Sequence, residues 1–252
     1  MNHKYDFNKF VNEVNDWSGL STDELSPEDL ELFQSLVLEQ YKEVVSKYDD
    51  NLCDILKINE YHESKIAKSE LHKQIWPKKT RILSKARLQR LMGSQFFSEL
   101  KAHFEWYNIT DEENVGFPEV YFRLCRPEPF IDVGPLHADA WFWELGHGEM
   151  PKANFDIQRI KFWFCLETEE AKTGFRFVEN SHKRDYNYAG IERDGFVKPT
   201  FDETKHDLLI KSFTGKPGSL IVFNDRLLHG GEILKSGTRV SLEFTLAIRN
   251  RL

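Results

Sequence analysis

A chain of 252 residues, 40% hydrophobic and 13% aromatic, is long enough to bury one sizeable core. Its net charge of -7 and pI near 5.8, with no basic block denser than the run from Lys78 to Arg87, exclude bulk binding to nucleic acid. No apolar run is long enough to span a bilayer, and Met1 to Asp6 lacks the core of a secretion signal. Cys53, Cys125 and Cys165 are odd in number and far apart, which fits reduced thiols and a cytoplasmic setting rather than a disulfide framework.

In chain order, Ser26-Pro27-Glu28-Asp29 predicts a helix start: a hydroxyl cap, proline at the first helical position and acids in the first turn. Leu30, Phe33, Val37, Tyr41, Val44 and Tyr48 then form one apolar stripe over about five turns. A second helical stretch is expected within Asp54 to Ile75, stopping before Trp76-Pro77. A third carries Leu83, Leu88, Leu91, Phe96, Phe97 and Leu100 toward Phe104.

From Phe117 onward strand signals dominate. Glu119 to Cys125 reads as a strand closed by Pro127-Glu128-Pro129, and Ile160 to Leu166 as a central strand carrying one cation, Lys161. Gly174 to Val178 is a short strand, followed by the polar turn Glu179 to Arg184. The stretch from Asp185 to His206 is poor in pattern and is expected to be a long loop of the kind that forms lids. Ser219 to Phe223 is a strand, and Thr238 to Leu246 alternates with Arg239, Ser241, Glu243 and Thr245 on one face. Helices first and short strands after, without strand–helix alternation, predict an α+β fold with a mainly β core, an antiparallel sandwich or barrel. A single domain over residues 1–252 is expected, with 1–110 mostly helical support and 117–252 the β core.

The chemistry gathers at Leu136-His137-Ala138-Asp139-Ala140-Trp141. On a strand His137 and Asp139 would share one face, a buried carboxylate there calls for a cation, and a divalent metal would meet both groups. His229 is the candidate third ligand. A second pair, His147-Gly148-Glu149, lies in a loop-like stretch of unfixed geometry. Two histidines and a carboxylate leave about three positions of an octahedral ion open, the arrangement of non-haem Fe(II) oxygenases, although the same ligand types also suit a zinc hydrolase. Arg239, ten residues after His229, could clamp a carboxylate bidentately, with Ser241 as a further donor. Together they describe a dicarboxylic keto acid held between the metal and Arg239.

His137-x-Asp139, the distal His229 and Arg239-x-Ser241 resemble the Fe(II)/2-oxoglutarate-dependent dioxygenases. The surrounding strands and Asn180-Ser181-His182 resemble their phytanoyl-CoA dioxygenase-like branch, over roughly Phe117 to Arg249. Where that branch has Pro-Gly-Ser-His, this chain has Glu179-Asn180-Ser181-His182. The resemblance implies a double-stranded β-helix (jelly roll, cupin-like) with N-terminal supporting helices. It also implies Fe(II) held by His137, Asp139 and His229, 2-oxoglutarate anchored by Arg239 and Ser241, O2 as oxidant, and succinate and CO2 as products. With Asp139 in place of Ala or Gly it implies hydroxylation rather than halogenation.

Arg123 and Lys161 are expected to meet the cosubstrate or an anionic substrate, since a buried cation needs a partner. Trp141 and Trp143 are expected to wall the pocket beside His137 and Asp139, and Arg176, His182 and Arg184 to lie near its mouth. These cations point to a small polar or anionic substrate such as a sugar acid, an amino acid or a phosphorylated metabolite. Small molecules are thus the expected partners, with no nucleic acid or membrane. The competing readings are a non-catalytic β protein that binds a small acid and a cupin-like metal-dependent hydrolase or lyase.

Overall fold

The computed structural model describes residues 3–48, 57–146, 157–169, 171–193 and 196–249. The first helix, α1 (Phe7–Asp16), is capped by the Asp6 carboxylate, which accepts from the Lys9 amide, and buries Phe7, Phe10 and Val14. A short stripe of three apolar residues carried too little periodicity to predict it. Strand β1 (Leu20–Glu24) follows, and then α2 (Pro27–Ser46), which starts as expected: Oγ of Ser26 accepts from the Asp29 amide at 3.1 Å. Phe33, Leu36, Val37, Tyr41, Val44 and Val45 form its buried stripe.

The second expected helix is mostly not one. Its described part is a 3-10 turn over Ile58–Glu63 and one short helix, Leu71–Ile75, which does stop before Trp76-Pro77. The third is two helices, Lys85–Leu91 and Gln95–His103, because Ser84 and Ser94 each cap a new start and the chain turns at Met92-Gly93 between them.

The remaining strands are β2 (Tyr107–Ile109), β3 (Tyr121–Cys125), β4 (Ile157–Glu167), β5 (Lys172–Val178), β6 (Ala189–Arg193), β7 (Phe196–Thr200), β8 (Ile210–Thr214), β9 (Ser219–Asn224), β10 (His229–Gly231) and β11 (Arg239–Arg249). All pairings are antiparallel. The larger sheet runs β1-β9-β4-β11-β2, with β3 also on β11, and a smaller sheet runs β10-β5-β8. The helices cover one face of the larger sheet. There Phe162, Phe164, Val222, Leu242 and Phe244 share one core with Phe10, Phe33, Phe96 and Phe97. The smaller sheet lies over the other face, where Trp163, Cys165, Ile221 and Phe223 pack with Phe175, Phe177 and Leu227. Period-2 alternation along β4, β9 and β11 thus sends one set of side chains to the helices and the other between the sheets. This is the expected sheet-rich α+β, jelly-roll-like architecture.

One expectation is refined and another corrected. The first 110 residues are not only helical support: β1 and β2 are strands of the larger sheet, β1 pairing with β9 and β2 with β11. Nor is the stretch from Asp185 to His206 a structureless loop. It contains the hairpin β6–β7, with Ala189 opposite Thr200, whose mixed polar sequence hid the pairing. His147-Gly148-Glu149 and Cys53 lie outside the described residues.

Candidate metal and cosubstrate site

His137 and His229 face each other across one isolated antiparallel bridge. Each amide donates to the other's carbonyl at 2.9 Å, which sets the two rings 4.6 Å apart. The glycines after His229 let the segment before His137 come close: a Cβ on Gly231 would lie 2.5 Å from Val133. Asp139 is not on that strand, which corrects the expected strand over Leu136 to Trp143. Its backbone is helical, and it stands at the start of a short helix, Ala140–Glu144, whose first amide donates to the Asp225 carbonyl at 2.8 Å. A turn, not period-2 alternation, therefore brings the carboxylate round to the imidazoles.

Oδ1 of Asp139 lies 3.7 Å from Nε2 of His137 and 3.8 Å from Nε2 of His229. Both rings are aimed from behind, Nδ1 of His137 on the Pro135 carbonyl and Nδ1 of His229 on the Leu227 carbonyl, each at 3.0 Å. A ring that donates from Nδ1 presents a lone pair at Nε2, so both lone pairs turn to the same space. Burial lowers both imidazoles below their ordinary range, His229 to about 4, so they are neutral and ligand-ready near pH 7. Burial alone would raise the Asp139 carboxyl; the Lys161 ammonium beside it outweighs burial and holds the group ionised. The ligand atoms of the three residues lie within 4.8 Å of one another, and metal bonds of roughly 2.1 Å would draw them closer. Two neutral imidazoles and one carboxylate suit a divalent ion such as Fe(II).

Arg239 enters from the start of β11 and is buried. Its Nη1 donates to the Gly174 carbonyl at 3.1 Å and its Nη2 to Sγ of Cys125 at 2.7 Å, while Trp163 lies 5.7 Å from the guanidinium. Gly174 has φ +71°, and a Cβ there would meet Cδ of Arg239 at 2.9 Å. On the inner face of β11 two donors have no partner: Nε of Arg239 and the fully buried Oγ of Ser241. Orphaned buried donors are costly, and two on one face of a strand fit a carboxylate brought by a ligand. The cavity itself is lined by Arg123, His137, Trp163, Phe175, Phe223, His229, Gly230, Gly231, Arg239 and Glu243.

Among the other expected contacts, Arg123 lies on this cavity, with Nε on Glu243 and a side chain 42% exposed. Lys161 does not line it. It is buried behind Asp139, 3.6 Å from Oδ2, among Glu112, Glu243 and the hydroxyls of Tyr121 and Thr245. Trp141 and Trp143 do not wall the cavity, because the helix at 140–144 turns them away. Trp141 stacks on Tyr188 at 4.7 Å in a separate cluster with Leu136, Val178 and Phe201, and Trp143 lies beside Arg159. Phe142 is the aromatic that meets His137, ring to ring at 5.6 Å. Arg176 pairs with Glu203 at 3.3 Å and does not line the cavity, since it alternates with the inward Phe175 and Phe177. His182 is also elsewhere, with Nε2 on the Asn15 carbonyl at the end of α1, and Arg184 is exposed. The residues not anticipated are Trp163, Phe175, Phe223 and Glu243. Trp163 and Glu243 share strand faces with Lys161 and Arg239, a signal that was present in the alternation.

Residues 126–239 match the family model for phytanoyl-CoA dioxygenase (PhyH). The match covers a little under half of the chain. The resemblance drawn from the sequence to the Fe(II)/2-oxoglutarate-dependent dioxygenases thus holds, and the His137, Asp139 and His229 cluster lies within the matched domain. Among solved structures the chain is similar to EvdO2 from Micromonospora carbonacea var. aurantiaca, 14% identical, over 98% of this chain and 92% of that one, with a TM-score of 0.59. It is similar to EctD from S. alaskensis, solved with 2-oxoglutarate and 5-hydroxyectoine, 15% identical, over 96% and 76% of the two chains, TM-score 0.53. A third is SnoN, a non-heme alpha ketoglutarate dependent epimerase from nogalamycin biosynthesis, 12% identical, over 97% and 83%, TM-score 0.52. At such identities the likeness is one of fold. No curated protein matches the sequence. No helix among the described residues is long and apolar enough to cross a membrane.

Proposed function

We propose that this protein is an Fe(II)- and 2-oxoglutarate-dependent hydroxylase of a small, polar, anionic metabolite, acting in the cytoplasm. The observation that carries the reading is a cavity walled by His137, His229 and Arg239, with Asp139 completing the His–Asp–His cluster and two orphaned donors, Nε of Arg239 and Oγ of Ser241, on one face of β11. His137, Asp139 and His229 would hold the iron, which when bound supplies the oxidation of 2-oxoglutarate by O2 to succinate and CO2 and the insertion of oxygen into a substrate C–H bond.

The chain's own residues do the rest. Arg239 and Ser241 receive the far carboxylate of the diacid, the guanidinium held in place by the Gly174 and Cys125 contacts. Trp163, Phe175 and Phe223, all buried, exclude water from the same space. Arg123 differs from Lys161 and Arg239 in lining the cavity while staying half exposed, so it is the cation available to an incoming anionic substrate. A sugar acid or amino acid offers such a carboxylate.

Protein loaded anaerobically with Fe(II) should, on admission of O2 and 2-oxoglutarate, release succinate faster when sugar acids or amino acids are supplied. His137→Ala should reduce this to background. Arg123→Ala should raise the substrate KM about tenfold, the worth of one charge-assisted hydrogen bond, without changing the 2-oxoglutarate requirement. Failure of the wild-type protein to form succinate under every one of these conditions refutes the oxygenase reading. A shift in the 2-oxoglutarate requirement of Arg123→Ala would instead give Arg123 to the cosubstrate.

A further inference from the structure

Lys161 is an ammonium 3% exposed in the middle of β4, and it touches neither the cavity nor the surface. An apolar residue would fill that position at lower desolvation cost, so the charge has a local task. The two oxygens of Asp139 divide the surroundings between them. Oδ1 faces both imidazole Nε2 atoms, whereas Oδ2 points at Nζ of Lys161, 3.6 Å away, and has no hydrogen-bond partner. Nζ is in turn held by the hydroxyls of Tyr121 and Thr245 at 3.3 Å and by Glu243 and Glu112 at 3.8 and 3.9 Å. Glu112 is fixed from the far side by Lys78 at 2.6 Å and accepts from Oγ1 of Thr245 at 2.8 Å.

We propose that Lys161 is a positioning residue that keeps Asp139 a one-oxygen ligand by holding Oδ2 toward β4. The inference rests on the iron-site reading above and adds to it the reason three positions stay open. An octahedral ion bound by two imidazoles and one carboxylate oxygen has three positions left. A chelating keto acid and O2 require all three. A carboxylate free to turn its second oxygen onto the metal would occupy one of them. An ammonium anchored by four other groups competes for that oxygen and does not move.

The test separates metal binding from cosubstrate binding. Titrations of Fe(II), and then of 2-oxoglutarate into the Fe(II)-loaded protein, are carried out anaerobically on the full chain as wild type, Lys161→Met and Lys161→Arg. Lys161→Met/Glu112→Gln is run in parallel, because it deletes one buried cation together with one carboxylate that the cation neutralises. In both Met variants Fe(II) affinity should stay the same or rise, while 2-oxoglutarate affinity falls about tenfold or more, the scale on which groups behind a ligand act. Lys161→Arg should restore it to within roughly threefold. Unchanged 2-oxoglutarate affinity in a folded Met variant overturns the proposal, as does a parallel loss of both affinities, which is what a merely structural role would produce. Absence of Fe(II)-dependent 2-oxoglutarate binding in the wild type refutes instead the reading on which this inference rests.

Discussion

The two faces of β11 are equally buried and chemically opposite. Val240, Leu242, Phe244 and Leu246 point to the helices, while Arg239, Ser241, Glu243 and Thr245 point between the sheets, and every one of the eight is less than 5% exposed. On the first face burial is favourable in itself, and the Phe244 ring stacks on Phe162 at 4.9 Å and lies tilted against Phe97 at 5.3 Å. On the second face burial is costly, and each charge has polar partners: Glu243 has Arg123 and Lys161, and Arg239 has backbone carbonyls and a thiol. The groups left unmet, Nε of Arg239 and Oγ of Ser241, are those a ligand would complete. The helix-facing side builds stability and the inner side holds a prepared polar cavity.

The largest break in this comparison should come from the apolar face. Phe244→Ala removes a ring packed on Phe97 and Phe162 and should cost about 3–5 kcal/mol of folding stability in denaturant titrations, leaving 2-oxoglutarate affinity of the folded protein nearly unchanged. A loss under about 1 kcal/mol would show that this face repacks freely. Arg239→Ala, on the opposite face of the same strand, should do the reverse. It should weaken 2-oxoglutarate binding roughly 10- to 150-fold, equivalent to about 1.5–3 kcal/mol, with Fe(II) still bound. Equal cosubstrate affinity in this variant would deprive the inner face of its anchor. The smallest and sharpest change is Gly174→Ala. At φ +71°, with Cδ of Arg239 2.9 Å from the new methyl group, it should push the guanidinium aside and raise the 2-oxoglutarate requirement about fivefold, or about 1 kcal/mol. Indifference to this methyl group would mean that Arg239 is not held by its carbonyl contacts.

Much of this was legible in the residues themselves. Ser26-Pro27 marked the start of α2, the alternation of β11 placed Arg239, Ser241 and Glu243 on one side, and His137, Asp139 and His229 had the spacing of a distributed ligand set. What alternation could not reveal was that both faces of β11 are interior, because a polar face reads as a wet one until a second sheet is seen to cover it. Local pattern also misplaced Trp141 and Trp143. A strand and a bridge followed by a turn of helix share the residues His137 to Trp143, and only the bond from the Ala140 amide to the Asp225 carbonyl settles which one forms.

By itself, then, the sequence determined the kinds of groups present and their order: a helical first part, a β-rich second, two imidazoles, a carboxylate and an arginine. The tertiary structure decided which of them meet. The bridge between His137 and His229 closes 92 residues of chain, and the contact of Lys161 with Asp139 depends on a sheet register and a turn formed far apart. Periodicity encodes the direction of a side chain relative to its neighbours, whereas distance between remote segments is set by how sheets stack and pair.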